Sequence, residues 1–524
     1  MTLGKAAPAP RISGRSDDTK VALLIFIIVF LAAALLEVGF SGADDYRYLI
    51  AAERWMAEGA HAGANHWANR IPYVLSLVGA FSIFGTSDLA LNTLHGVLVF
   101  TLAFTAWKLA LLSFGKREAA LLSLLAVLGT PVLLRMATYF YPEVMEIMLL
   151  AITTLMVFQR QQWAGRRRVL LILAAGIAGG LAMVVRQTAI AVPVSLAAVM
   201  FFMTPGDSVA QRIKDIAVLA AGFILPLVGE LLFYVLVAGD PFYRFGVDTA
   251  HVKIASRLKN KDMIDTDQVL FNWELARNWK REDAWVDAPW FLEPWARLFI
   301  GPGMLFIPVI GVVGGVLAFR AGDSPRRLAV LTALIMVIQY ALNTFVLVLP
   351  PNTRYFGLGL VLLAMLAGYA IYRLLPFKLA LLAFVALIAV PTILVFLAQP
   401  RFLQRVNDLA VLVRQSDEPV WLPGKGVEYA AVLVRNDPVA RSRLRAGAAP
   451  VGGLVANFGG ARAVSLAKPC PDGTDGVVLA KTMPPYAPLQ GLVEMLGMDR
   501  LIPGRVGHVL SGEINRVSLY RRVC

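Results

Sequence analysis

The sequence predicts an all-α polytopic membrane protein of about eleven transmembrane helices, followed by a small extracytoplasmic α/β domain. Three observations predict it. Of 524 residues, 58% are hydrophobic and only 16% are charged, too little charge to cover a soluble surface of that size. The apolar residues fall in runs of roughly 20, the length that crosses a hydrocarbon core. Finally, Lys and Arg collect in alternate connections between those runs, as they do in loops that stay cytoplasmic.

The spans fall at 21–40, 88–112, 119–135, 142–158, 169–185, 187–204, 215–238, 296–318, 328–349, 355–372 and 379–398. No small-residue cleavage site follows Val21 to Phe40, so this run is expected to be an anchor. One set of connections carries Lys116 and Arg117, Arg160 with Arg166 to Arg168, Arg212 and Lys214, Arg320 with Arg326 and Arg327, and Arg373 with Lys378. The N-terminal tail adds Lys5, Arg11, Arg15 and Lys20, and residues 1–18 are expected to form a disordered cytoplasmic tail. With the basic set inside, the loops 41–87 and 239–295, the turns near Ala137–Pro142, Arg186 and Pro350–Tyr355, and everything after about 400 lie outside. The net charge of +14 thus reports topology, and no nucleic-acid partner is expected.

This divides the chain into a membrane domain over 19–400 and an extracytoplasmic domain over 401–524. The latter has Gly/Pro punctuation and β-like runs at Ala430 to Val434, Val477 to Ala480 and Arg516 to Leu519. The two cysteines, Cys470 and Cys524, both lie there, where an oxidising compartment permits a disulfide but does not require one. The five histidines are scattered, and no Cys/His metal spacing exists.

The residues able to carry chemistry gather on the outer side. Asp44 and Asp45 follow the first span directly. Adjacent carboxylates at a membrane boundary repel each other and resist desolvation. They end a span and start the amphipathic segment Tyr46 to Glu58, or they serve as general base towards a hydroxyl or as ligands of a divalent cation. That segment places Tyr48, Leu49, Ala52, Trp55 and Met56 on one stripe, as in a helix lying along the membrane surface. His66 follows in a polar loop, where a solvated histidine is the plain expectation. Pro142 suits the first turn of a helix, which puts Glu143 just inside it and Glu146 one turn deeper on the same face. Arg135, Arg186 and Arg354 are single arginines in otherwise uncharged outer positions. Singly each is explained by snorkelling; together they suit a lipid phosphate, which guanidinium grips bidentately. Glu230 is a charge inside a span. The loop 239–295 opens on Gly239-Asp240-Pro241-Phe242-Tyr243-Arg244 and continues with Trp and basic residues, which suit an interfacial belt or a lid.

In order and spacing, these features resemble the C-type (GT-C fold) glycosyltransferases over about residues 20–375. The nearest branch is that of the protein O-mannosyltransferases, the lipid A aminoarabinose transferases and the rhizobial galacturonosyltransferases. The resemblance rests on the Asp44-Asp45 pair, on Glu143, on Gly180-Leu181-Ala182 through Arg186, and on Gly239-Asp240-Pro241 with Arg354-Tyr355. Asn65-His66-Trp67-Ala68-Asn69-Arg70 stands where the family commonly has His-Pro-Pro. The resemblance implies a polyprenyl-phosphate sugar donor, a cell-envelope acceptor, inverting transfer, and an active site and C-terminal domain facing the periplasm from a bacterial inner membrane.

On that basis Asp44, Asp45 and Glu143 are the candidate catalytic residues, with either aspartate as base. Arg186, Arg354 and Tyr355 would bind the donor phosphate, and His66, Tyr243 and Arg244 would hold the acceptor or form the lid. The cofactor is left open, a divalent cation on Asp45 and Glu143 being one candidate. A transporter or flippase of a lipid-linked or anionic substrate also uses intramembrane charge, but the paired repeats and midplane breaks common in transporters are absent from the sequence. A non-enzymatic scaffold whose tail binds cell-wall material is the third alternative.

Overall fold

The computed structural model describes residues 15–36, 45–138, 140–251, 291–300, 304–347, 352–390 and 392. In the C-terminal part it describes 402–422, 430, 433–434, 437–447, 449–458, 477–481 and 517–521. The chain divides into two units. The first comprises Met1–Leu35, Tyr48–Ala137 and Tyr141–Ile393; the second comprises Leu36–Arg47, Thr138–Phe140 and Leu394–Cys524.

The first unit is helical throughout. It runs from α1 (Arg15–Leu36) through α2 (Asp45–Glu58) and α3 (Ile71–Phe84) to α4 (Asp88–Phe114), whose Ser87 cap accepts the Ala90 N–H. Helices α5 (Arg117–Leu128) and α6 (Pro131–Thr138) replace the single span expected at 119–135. Gly129 closes α5, and Pro131 lacks the N–H that would continue the ladder and disfavours helical backbone at Thr130. Helices α7 (Glu143–Gln159), α8 (Gly165–Val185), α9 (Ala191–Phe202) and α10 (Val209–Ala238) follow the expected positions closely. After α11 (Tyr243–His251), the span expected at 296–318 is two helices, α12 (Glu293–Ile300) and α13 (Ile307–Ala321). The set closes with α14 (Asp323–Ala341), α15 (Leu358–Leu374) and α16 (Phe377–Phe384); α14 and α16 end in π-helical turns at Leu342–Val346 and Val385–Ala389.

Among the described residues four helices are long and apolar enough to cross a membrane: Leu89–Phe114, Gly165–Val185, Val209–Ala238 and Asp323–Val346. Shorter apolar helices lie at Ile71–Phe84, Gln187–Phe202, Ile307–Ala321, Leu358–Leu374 and Phe377–Ala389. The first of these lies inside the connection expected over 41–87, started by Pro72 in its first turn. At about 21 Å it is too short to span. The lipid-facing surface is visible in α10, where Ile224, Leu225, Leu232, Val235 and Leu236 are all exposed. In water such a contiguous apolar face is an aggregation liability; in lipid it is the required surface. The chain is a multi-pass membrane protein.

Between helices the driving force in lipid is close packing, so small residues sit at the crossings. A Cβ on Gly176 or Gly180 of α8 would collide with the backbone of Leu219 or Phe223 in α10, and one on Gly314 of α13 with Leu366 of α15. Helix α15 is buried on every side from Leu358 to Ile371 and forms the middle of the bundle. At one end of the bundle an ion-pair network ties the basic connections together. Arg168 reaches Asp207 at 2.6 Å and Asp215 at 2.5 Å, Arg160 lies 3.5 Å from Asp215, and Arg327 donates to Gln161 at 2.6 Å. The opposite ends of α7 and α8, which carry Glu143 and Arg186, therefore meet at the other end.

The second unit is a small α/β fold. Helix α17 (Phe402–Gln415) packs on α18 (Pro438–Arg443) and on the last strand. The sheet comprises β1 (Val420–Leu422), β2 (Leu444–Ala446), β3 (Leu454–Phe458), β4 (Val477–Lys481) and β5 (Val517–Arg521), in the order β2-β1-β3-β5-β4. Strand β1 is parallel to both β2 and β3, whereas β5 is antiparallel to both β3 and β4. The β-like run expected at Ala430 to Val434 is helical at Ala430, Leu433 and Val434. Cys470 and Cys524 lie outside the described residues.

Candidate active site

Three short connections deliver the site. Pro142 caps α7, so Glu143 and Glu146 stand one turn apart, 3% and 1% exposed. Helix α8 stops at Val185, and Arg186 is extended (φ −157°, ψ 127°) before a 3-10 turn over Gln187–Ile190. This break turns Arg186 and Thr188 back towards α7. The third connection is a 3-10 turn over Thr353–Phe356, capped by Asn352, whose Oδ1 accepts the Arg354 N–H at 3.2 Å. Gly357 follows at φ +46°, ψ −122°, a conformation open to glycine, and leads the chain into α15.

The charged groups converge around one ring. Arg186 Nη1 lies 3.5 Å from Glu143 Oε1 and 3.7 Å from Glu146 Oε2, and Arg354 Nε lies 3.6 Å from the same Glu143 oxygen. The Arg186 guanidinium stands 4.3 Å over the Tyr355 ring, while that of Arg354 lies 5.5 Å from Tyr355 and 4.9 Å from Tyr141. Thr188 Oγ1 donates to Glu146 Oε1 at 3.3 Å. Arg70 lies within Coulombic reach of both glutamates. Every ion contact here exceeds the roughly 2.7–2.9 Å of a charge-assisted hydrogen bond. Arg186 is neutralised by the two glutamates without being locked onto them.

A neighbouring network is tight by comparison. Arg244 bonds Glu230 Oε1 at 2.6 Å and the Val184 carbonyl at 2.5 Å, and lies 3.3 Å from Asp248. Gln187, next to Arg186, donates to Asp248 at 2.9 Å. Burial pushes the Asp248 carboxyl above its usual range, and Arg244 pulls it only part of the way back. Burial lowers the Arg244 guanidinium, but Glu230 and Asp248 outweigh it and hold the group above its ordinary value.

Of the residues expected to form the site, Glu143, Arg186, Arg354 and Tyr355 come together. Arg244 lies in the tight network, Tyr243 stacks on Tyr234 with ring centres 5.7 Å apart and donates to the Gly63 carbonyl at 3.2 Å, and the His66 ring rests on Trp67 at 3.7 Å. Asp45 is fully buried at the start of α2, its Oδ1 accepting the Tyr46 N–H at 3.2 Å. Asp44 and the Arg135 side chain lie outside the described residues. Among the described residues no three His, Cys, Asp or Glu side chains gather as a metal site. Glu143 Oε1 faces two guanidiniums, which neutralise it without a cation. Thr188, Tyr141, Gln339 and Asn343 join the site without having been among the expected residues. Gln339 had a signal, being an amide inside an apolar span, where polar side chains are expected to have partners.

The helical membrane domain, with its charged, aromatic site at one end, has a GT-C-like fold. Residues 69–229, about a third of the chain, match the family described as dolichyl-phosphate-mannose-protein mannosyltransferase. Among solved structures, the fold of the chain is similar to that of ArnT from Cupriavidus metallidurans bound to undecaprenyl phosphate. That likeness has a TM-score of 0.50 at 13% identity, covering 89% of this chain and 96% of that one. The apo state of the same protein matches with a TM-score of 0.51 at 14% identity, over 84% and 92% of the two chains. No curated protein sequence gives a significant match.

Proposed function

We propose that the protein transfers a sugar from a polyprenyl-phosphate donor to a cell-envelope acceptor (lipid, glycan or protein) at the outer face of the bacterial inner membrane. The transfer inverts the anomeric centre. The membrane domain, residues 19–400 with about eleven spans, holds the site, and 401–524 stands in the periplasm. The carrying observation is the pair of arginines, Arg186 and Arg354, on either side of Glu143 and against Tyr355. The undecaprenyl phosphate bound to the ArnT of similar fold supports the choice of donor.

In the transfer, the acceptor hydroxyl attacks the anomeric carbon. The bond from that carbon to the phosphate oxygen breaks, and its electron pair leaves with the phosphate. Arg186 and Arg354 turn from Glu143 to the phosphate and stabilise the growing charge, an effect of the oxyanion-hole kind. The hydroxyl proton passes to Asp44 or Asp45. Glu143 keeps the arginines neutralised between turnovers and orients the acceptor. Reconstitution into vesicles with a radiolabelled polyprenyl-phosphate sugar tests the proposal. Label should move to an envelope acceptor with the wild type and not with Arg186→Ala. Transport of the donor without product formation would instead support a flippase.

A further inference from the structure

Beside the ionic cluster lies a group of polar atoms that the cluster does not use. Gln339 of α14 is completely buried, yet neither Oε1 nor Nε2 of its amide has a hydrogen-bond partner. One turn on, Asn343 is 8% exposed; its Nδ2 donates to the Tyr355 carbonyl at 3.0 Å, which leaves Oδ1 unpartnered. Oε2 of Glu143 and Oε2 of Glu146 are likewise buried and make no hydrogen bond. Buried polar groups left unmatched are costly, and sites retain them for a purpose.

These atoms belong to one place. A Cβ built on Gly357 would come 3.0 Å from Gln339 Nε2 and 3.9 Å from Glu146 Oε1, so both side chains face the bare backbone of that glycine. Asn343 lies on the same face of its helix, four residues from Gln339, and is tied to the backbone of Tyr355, whose ring Arg186 covers. Glu146 Oε2 stands 3.7 Å from Arg186.

The chemistry of the set selects its ligand. Four unpartnered acceptors, two of them carboxylate oxygens, repel a phosphate. A cation would use the oxygens but would meet the Arg186 and Arg354 guanidiniums and leave Gln339 Nε2 without an acceptor. A polyhydroxylated ring satisfies all of them. Its hydroxyls donate to Glu143, Glu146, Asn343 and Gln339 Oε1, and one hydroxyl or ring oxygen accepts from Gln339 Nε2. Such a ring attached to a phosphate on Arg186 falls beside that arginine, as Glu146 does. Resting on the donor proposed above, we infer that Gln339, Asn343, Glu143 and Glu146 form the subsite for the sugar carried by the lipid phosphate, with Gly357 leaving room for its approach. The amides act as specificity determinants. A site that hydrogen-bonds substrate hydroxyls rejects analogues lacking them by large factors, since its own polar groups are then left unpaired.

The test uses the full chain in detergent and two kinds of probe: undecaprenyl phosphate, and undecaprenyl phosphate carrying glucose, mannose, galactose, galacturonate or arabinose. The wild type should bind at least one glycosylated probe about tenfold or more tighter than the bare lipid phosphate, the increment expected of one or two satisfied hydrogen bonds. Gln339→Leu and Gln339→Met should lose that preference, keep the wild-type affinity for undecaprenyl phosphate, and match or exceed the wild-type melting temperature without ligand. Parallel weakening of both probes would make Gln339 part of the framework and overturn the inference. An unchanged preference in the variants, or equal binding of every probe by the wild type, would also overturn it. A wild type that binds neither kind of probe refutes the donor proposal itself.

Discussion

Arg186 Nη1 lies 3.5 Å from Glu143 Oε1, an ionic contact longer than a hydrogen bond, in a site where both side chains are almost wholly buried. A close permanent pair would leave nothing for a substrate anion, and an absent one would leave a buried cation uncompensated. The intermediate distance suits a counterion that is displaced at each turnover. Glu143→Gln should therefore bind undecaprenyl phosphate more tightly, by about tenfold for each 1.4 kcal/mol of competition removed. The ligand-free variant should melt earlier and be rescued by the lipid, and turnover should fall because the phosphate product is held. Equilibrium binding and thermal melting of the purified variant check both effects; weaker binding would assign Glu143 to the acceptor side alone.

Arg186 also stacks on Tyr355 at 4.3 Å, so its planar shape matters as well as its charge. Arg186→Lys keeps the charge but loses the fork and the stacking. It should lower kcat by about two orders of magnitude, the scale seen when one transition-state donor is removed. Arg186→Ala should be lower still and raise KM for the donor. If Lys restores full turnover, the guanidinium serves only as a point charge.

Asp45 is fully buried at the start of α2. If it or Asp44 takes the acceptor proton, replacing both with Asn should lower transfer by about two to four orders of magnitude. Donor binding and membrane insertion should remain. Single Asn variants then identify the base, since only one should reproduce the loss. Unchanged transfer in the double variant removes the carboxylate base from the mechanism.

The membrane class, most span positions and the residues of the ionic cluster are legible in the sequence because they rest on hydrophobic length and on charges that are expensive in lipid. Glu143, Arg186 and Arg354 stand out as isolated charges in apolar surroundings, and the structure brings them together. Three things were hidden. The break at Gly129 to Pro131 sits inside a run whose hydropathy stays high, so composition does not reveal it. The apolar helix Ile71–Phe84 is too short for a span pattern. Gln339 and Asn343 are uncharged, and a hydropathy reading passes over a single amide in an apolar helix, although burial gives it the same significance as a charge.

Arg244 differs from Arg186 in being tightly bound, at 2.6 Å to Glu230, and in lying against Asp248 at 3.3 Å. Arg244→Gln leaves two partly buried carboxyl groups without their cation, and the loss should fall below the about 3–5 kcal/mol typical of a fully buried pair. The loss should depend on pH in a defined direction. The Asp248 carboxyl is already raised in the folded protein, because burial outweighs the pull of Arg244. A carboxyl with a raised folded pKa contributes most below its unfolded value, near 3.9, and that contribution is lost as pH rises through the folded value. Removing Arg244 takes away the downward pull, so the folded value rises further and the window widens upwards. Acidification from about pH 7 to about pH 5 should therefore raise the apparent melting temperature of Arg244→Gln more than that of the wild type, while Arg244→Gln/Asp248→Asn should lose the part of the extra gain that Asp248 supplies. Thermal melts of the detergent-purified proteins at matched scan rates provide the measurement. If the variant and the wild type respond equally to acid, Asp248 does not depend on Arg244 for its charge.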